Sequence, residues 1–178
     1  LSDEDDETID IALTNPTNVT LGDVTEMTIT IIDDDVSPEV RFNATNIDFT
    51  EGAGSVSVTV SLSVASGKTV TVNYAASDNT AVVDDDYTAT SGVLTFDPDE
   101  TSKNFQVPLV DDTIAEDNEV IDLALKFPTN ATLGSPATAT ITVLDTDADP
   151  NVEFAAATFG GGENTLVGTV TLSLDNES

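Results

Sequence analysis

One offset of 112 residues runs through this chain and constrains its fold more than any other feature. Residues 6–13, DETIDIAL, match residues 118–125, NEVIDLAL. NPTNVTLG at 15–22 matches FPTNATLG at 127–134, and TITIIDDDVSPEVRF at 28–42 matches TITVLDTDADPNVEF at 140–154. All three pairs share the separation 119 − 7 = 112, with no gap between them. FTEGAGSVSVTVSLS at 49–63 is echoed more loosely by FGGGENTLVGTVTLS at 159–173, with a two-residue deletion. Self-similarity at a fixed period marks a repeated structural unit. The expected organisation is a tandem array: 1–35 the C-terminal part of a preceding module, 36–148 a complete module, and 149–178 the opening strands of a following one. The stretch equivalent to about 65–112 is missing from both partial copies. The two ends therefore cannot combine into a whole module, and the chain reads as a piece of a longer one.

Within the complete module the apolar residues recur with period two, the pattern of half-buried strands. Val56, Val58, Val60, Leu62 and Val64 alternate with small, mostly hydroxyl residues, which predicts one core-facing edge. Val70, Val72 and Tyr74 repeat this, as do Phe105, Val107 and Leu109. So do Ile121, Leu123, Leu125 and Phe127, then Ala139, Ile141 and Val143; Val93 to Phe96 adds a shorter strand. Turn chemistry falls between them, at Glu51–Gly54, Ser66–Gly67, Ser77–Asn79, Asp97–Asp99 and Thr132–Gly134. No stretch carries a helical period. About seven short strands at this spacing predict an all-β, immunoglobulin-like antiparallel sandwich with Greek-key wiring.

Charge decides among partners. There are 34 acidic against 4 basic side chains, a net charge of −30. Phosphate binding needs Lys and Arg to release counterions, so nucleic acid is excluded, and an anionic membrane surface is disfavoured. No segment reaches the apolar length of a membrane span. A surface adapted to high salt is one other home of such acidity; disorder is another, but the hydrophobic fraction is 39%, much of it patterned for strands. The sequence has no Cys and no His, which removes disulfides and zinc sites as staples. A bound metal of another kind is the remaining candidate.

The carboxylates cluster at predicted strand ends: Glu51, Asp84–Asp86, Asp111–Asp112, Glu116–Asp117, Glu119, Asp145 and Asp147. Asp111 to Glu119 belong to one loop, and Asp145 and Asp147 end a strand running antiparallel to the one that starts near Glu119. The geometry converges on a single tip. Calcium takes six to eight oxygen ligands and tolerates irregular geometry, so such a tip suits it. Any one acidic run is most simply solvated surface. Convergence weakens that alternative, as does the recurrence of Glu4, Glu7 and Asp33–Asp35 at the repeat offset.

These motifs resemble a known family. Phe49-Thr-Glu51-Gly, Asp85-Asp86-Tyr87 and Gly92-Val-Leu-Thr-Phe96 are similar to those of the Calx-beta domain, the repeat of sodium–calcium exchangers and large bacterial surface proteins. So are Asp111-Asp112 with Glu116 and Glu119, Leu133-Gly134, and Ala139-Thr-Ile141 closing on Asp145-Thr-Asp147. The resemblance covers about 39–147. It implies several calcium ions at the distal tip, with Glu51, Asp86, Asp111, Asp112, Glu116, Glu119, Asp145 and Asp147 on ligand positions. Thr146 departs from the consecutive acids common in the family, which Asp33-Asp34-Asp35 retains; this implies fewer ions in the complete module. In the third copy only Glu163 falls at such a position.

The sequence offers neither the usual general base nor a thiol nucleophile, and its paired acids lie on exposed tips, so no catalytic role is expected. The expected role is a calcium-binding structural or adhesive repeat of a secreted or cell-surface protein, calcium stiffening the junctions between modules. Its partners would be neighbouring modules, other copies in a filament, or an extracellular adhesion target. The alternatives are a regulatory calcium sensor and a segment of an extracellular filament. Asn18, Asn43, Asn130 and Asn176 begin sequons, a weak sign of glycosylation in a Thr-rich chain.

Overall fold

The computed structural model describes residues 2–155 and 171–174. Its strands are β1 (Glu7–Ala12), β2 (Glu26–Ile31), β3 (Glu39–Phe42), β4 (Asn46–Thr50), β5 (Ser55–Leu62), β6 (Val70–Asp78) and β7 (Ser91–Phe96). They continue with β8 (Ser102–Pro108), β9 (Glu119–Thr129), β10 (Thr132–Leu133), β11 (Thr138–Leu144), β12 (Val152–Phe154) and β13 (Leu172–Leu174). Glu163 and Asn176 lie outside the described residues.

Strands β3 to β11 form an immunoglobulin-like sandwich of two sheets, ordered β10-β3-β5-β8 and β4-β11-β9-β6-β7. The first strand position is split: β3 pairs with β5 in one sheet, and β4 crosses to run parallel to β11 in the other. The last is split likewise, with short β10 beside β3 and β11 beside β9. Seven strand positions thus become nine ladder segments. The split lets one strand close both sheets, and it was not visible in the periodicity.

Period-two alternation becomes burial on both inner faces. Val56, Val58 and Val60 of β5 face Ile121, Leu123 and Ile141 of β9 and β11, all 0–1% exposed. Phe42 and Tyr74 close on Phe105, the Tyr74 ring stacking on it at 4.1 Å. Each such side chain contributes roughly 1.5–3 kcal/mol on leaving water. Two predicted core positions fail. Val64 lies beyond the end of β5 and is 48% exposed. Phe127 is 76% exposed, because the chain there takes φ 53° and the β6–β9 register shifts nearby.

The repeat is also structural. β1 and β2 pair Glu7 with Ile31 through Ala12 with Glu26. β9 and β11 pair Glu119 with Val143 through Ala124 with Thr138, the same six pairs displaced by 112 residues. Left-handed backbone repeats as well, at Asn15 and Asn18 and at Phe127 and Asn130. Burial does not repeat: Ile9, Ile11, Met27, Ile29 and Ile31 are 41–55% exposed. Ahead of the hairpin, Asp3 bonds to the sandwich at the β5–β6 loop. The Asp3 carbonyl accepts bonds from the Gly67 N–H at 2.9 Å and the Ser66 hydroxyl at 3.2 Å.

Candidate metal centre

Ladder registers fix the acidic tip. Thr50 of β4 stands opposite Leu144 of β11 in parallel, so the next residues, Glu51 and Asp145, emerge side by side. Glu119 opens β9 opposite Val143, which brings it to the same end. The β8–β9 connection carries Asp111, Asp112, Glu116 and Asp117 across that end, and the β6–β7 connection brings Asp85 and Asp86. Glu51 starts a single 3-10 turn, Glu51–Ala53, closed by Gly54 at φ 94°, a conformation that glycine adopts without steric cost. At Gly52 a Cβ would stand 3.1 Å from Asp111 Oδ1, so the missing side chain admits Asp111.

Two trios of carboxylates result, the oxygens within each lying within 4.8 Å of one another: Glu51, Asp145 and Asp147, and Asp86, Glu116 and Glu119. Between them lies a cavity of about 10 Å³, also lined by Asp85, Asp112 and Asp117. That is about the room of one water-sized sphere. Six of the eight sequence-predicted residues thus fall in the trios, Asp112 lines the shared cavity, and Asp111 sits against Gly52 outside both trios. Asp85 and Asp117 belong to acidic runs visible in the sequence, but adjacency alone does not say which member of a run turns inward.

Like charge held this close raises carboxyl pKa values. Burial pushes Glu51 up; hydrogen bonds from Thr146 oppose the shift, and Asp145 and Asp147 add to it. Burial and the charges of Asp86, Asp112, Asp145 and Asp85 push Glu116 up. Burial, a hydrogen bond to Asp86, and the charges of Asp86 and Glu116 bring Glu119 to about 7. Thr146 interacts by donating from its N–H and hydroxyl to Glu51 Oε1, at 3.1 and 3.3 Å. Among the described residues, Asp147 Oδ2 is buried with no hydrogen-bond partner. A buried carboxylate oxygen in that state is costly unless a cation or proton meets it.

The model of the Calx-beta domain matches residues 33–147. The chain is 33% identical over 172 residues to Extracellular matrix protein 3 of Lytechinus variegatus, covering 92% of this chain and 6% of that protein. It is 30% identical over 144 residues to Sodium/calcium exchanger 1 of Bos taurus, covering 68% of this chain and 14% of the exchanger. The chain thus spans a small part of either relative. The crystal structure of the calcium binding domain CBD12 of CALX1.1 superposes with a TM-score of 0.61 at 25% identity, covering 71% of this chain and 54% of that one.

Proposed function

The chain belongs to the Calx-beta domain family, and on that premise we propose that it is a calcium-binding structural or adhesive repeat of a secreted or cell-surface protein. The observation that carries this reading is the pair of carboxylate trios on one tip, one of them containing Asp147 Oδ2, which has no partner among the described residues. Glu51, Asp145 and Asp147 would hold one ion, and Asp86, Glu116 and Glu119 another. Asp112 and Asp85 would add charge from the shared wall. Calcium supplies positive charge where these carboxylates otherwise repel, and its flexible oxygen coordination matches ligands drawn from several loops. The role is one of holding elements together, with no reaction assigned to the chain.

The junction supports the structural part of the reading. Lys68 extends from the β5–β6 loop to Asp3 and Asp5, both at 3.3 Å, next to the acidic end of the β1–β2 hairpin. Burial lowers the Lys68 pKa, but the hydrogen bonds to Asp5 and Asp3 outweigh that and hold it above its usual value. If 1–35 is the end of a preceding module, its tip meets the next module at this loop, and in a whole preceding module an ion bound at that tip would stiffen the joint. Small-angle scattering tests this: the chain should lengthen and stiffen with calcium and relax with chelator. A profile indifferent to calcium rejects the rod. A regulatory sensor is the second reading, favoured by the likeness to the exchanger. A sensor would bind at about 10⁻⁷–10⁻⁵ M, an extracellular module at about 10⁻⁴–10⁻³ M.

A further inference from the structure

Asp86 is the one member of its trio that comes from the β6–β7 connection, and that connection needs something to hold its acidic turn in place. Its backbone is tightly turned: Asp84 has φ 73°, the Asp86 N–H donates to the Val82 carbonyl at 2.9 Å, and the Asp84 N–H to the Tyr87 carbonyl at 2.8 Å. The Asp86 carboxylate accepts the Val82 N–H at 2.6 Å. These bonds close the turn on itself but do not tie it to the sandwich.

Tyr87 does. Its side chain is 1% exposed, sunk in the core, while its hydroxyl donates to Asp78 Oδ1 at 2.7 Å. The same oxygen accepts the Val83 N–H at 3.0 Å, so one carboxylate grips both ends of the turn. Asp78 is the last residue of β6 and pairs with Ile121 of β9, the central strand of the five-stranded sheet. On the other side the Val110 N–H donates to the Asp86 carbonyl at 2.9 Å. Asp78 belongs to neither carboxylate trio.

We infer that Tyr87 and Asp78 form a lock that positions Asp86, and that this lock sets the affinity of the Asp86–Glu116–Glu119 trio. The inference rests on the calcium reading above. Any buried tyrosine hydroxyl needs a hydrogen-bond partner, so what matters is which acceptor it has. Here the hydroxyl and an amide of the acidic turn share one oxygen.

The test is calcium calorimetry on the whole chain with three variants. Tyr87→Phe keeps the ring and removes the donor. It should weaken one class of calcium sites about tenfold, as loss of an outer-shell partner does elsewhere, and leave the other class unchanged. Asp78→Ala should weaken the same class at least as much. Asp78→Asn retains an acceptor oxygen and should stay within about twofold of the parent. Because Asp78 is exposed, its two variants keep the test valid even if Tyr87→Phe misfolds. A Tyr87→Phe or Asp78→Ala isotherm that superimposes on the parent's overturns the lock alone. So does an Asp78→Asn loss equal to that of Asp78→Ala. A parent chain that takes up no calcium overturns both the lock and the proposed function.

Discussion

The acidic loops around Glu116–Asp147 and around Glu4–Asp35 share a backbone and differ in their company. Their ladders are in the same register. The Asp33 N–H donates to Asp6 at 2.9 Å where the Asp145 N–H donates to Asn118 at 3.2 Å. Asp35 bonds Asp33 at 3.3 Å where Asp147 bonds Asp145 at 3.2 Å. Two strands and their turns therefore suffice to shape the loop. They do not suffice for the trios, since Glu51 comes from the end of β4 and Asp86 from the β6–β7 connection, and residues 1–35 hold neither equivalent. Local sequence builds the acidic loop; distant strands build the site.

The largest effect should separate the two cores. Ile121→Ala, at a residue 0% exposed, should cost about 2–5 kcal/mol. The repeat-equivalent Ile9→Ala, at 49% exposure, should stay within about 0.5 kcal/mol. Urea unfolding followed by tyrosine fluorescence reads the sandwich alone, because Tyr74 and Tyr87 both lie in it. Equal losses would mean that Ile9 belongs to the same cooperative unit as the sandwich core.

Next in size is the calcium effect on the sandwich. At calcium one hundred times its Kd, binding to a single site should stabilise the folded state by about 2.7 kcal/mol, seen as a higher Tm in the same fluorescence signal. Asp33→Ala/Asp35→Ala, confined to the hairpin loop, should leave that rise intact.

Much of this was legible in the sequence, and the limits have physical reasons. Alternation found β5, β8, β9 and β11, because half-buried strands must alternate. It overran at Val64 and Phe127, because periodicity does not register a strand's end or a residue turned to positive φ. The single tip was legible because strand ends and antiparallel order place Asp112, Glu116, Glu119 and Asp145 together. The partition into two trios was not. It depends on β4 crossing to run parallel to β11, a long-range pairing that no local pattern records. Asp78 stood out only as part of the Ser77–Asn79 turn, since an Asp at a turn is ordinarily solvated.

A smaller effect should follow pH. Glu119 sits at about 7 in the folded chain against its ordinary value of 4.5. Between those values the folded state holds more protons than the unfolded one, so stability falls as pH rises. Calcium-free protein should therefore melt at a higher temperature at pH 5 than at pH 7.5. Saturating calcium should flatten or invert that slope, because ligand carboxylates must be deprotonated. A calcium-free Tm that rises across this window would contradict the crowding of Glu119 and Asp86.

Smallest is the junction. Lys68→Ala removes partly exposed ion pairs to Asp3 and Asp5 and should shift the sandwich Tm by no more than about 2–4 °C. Amide exchange at Gly67, whose N–H bonds the Asp3 carbonyl, should quicken if Lys68 helps to seat the hairpin. Unchanged exchange would show that the backbone bonds hold the joint without it.

The comparison of the two loops comes to a head in one calorimetric titration of calcium into the parent chain, Asp112→Ala/Glu116→Ala and Asp33→Ala/Asp35→Ala. The account predicts that the parent binds at least two ions. It predicts that Asp112→Ala/Glu116→Ala loses binding at the complete tip by a factor on the order of 100 or more, each removed carboxylate lowering the ligand charge. The hairpin variant should keep those sites. A parent chain without calcium heat, or a loss confined to the hairpin variant, would contradict it.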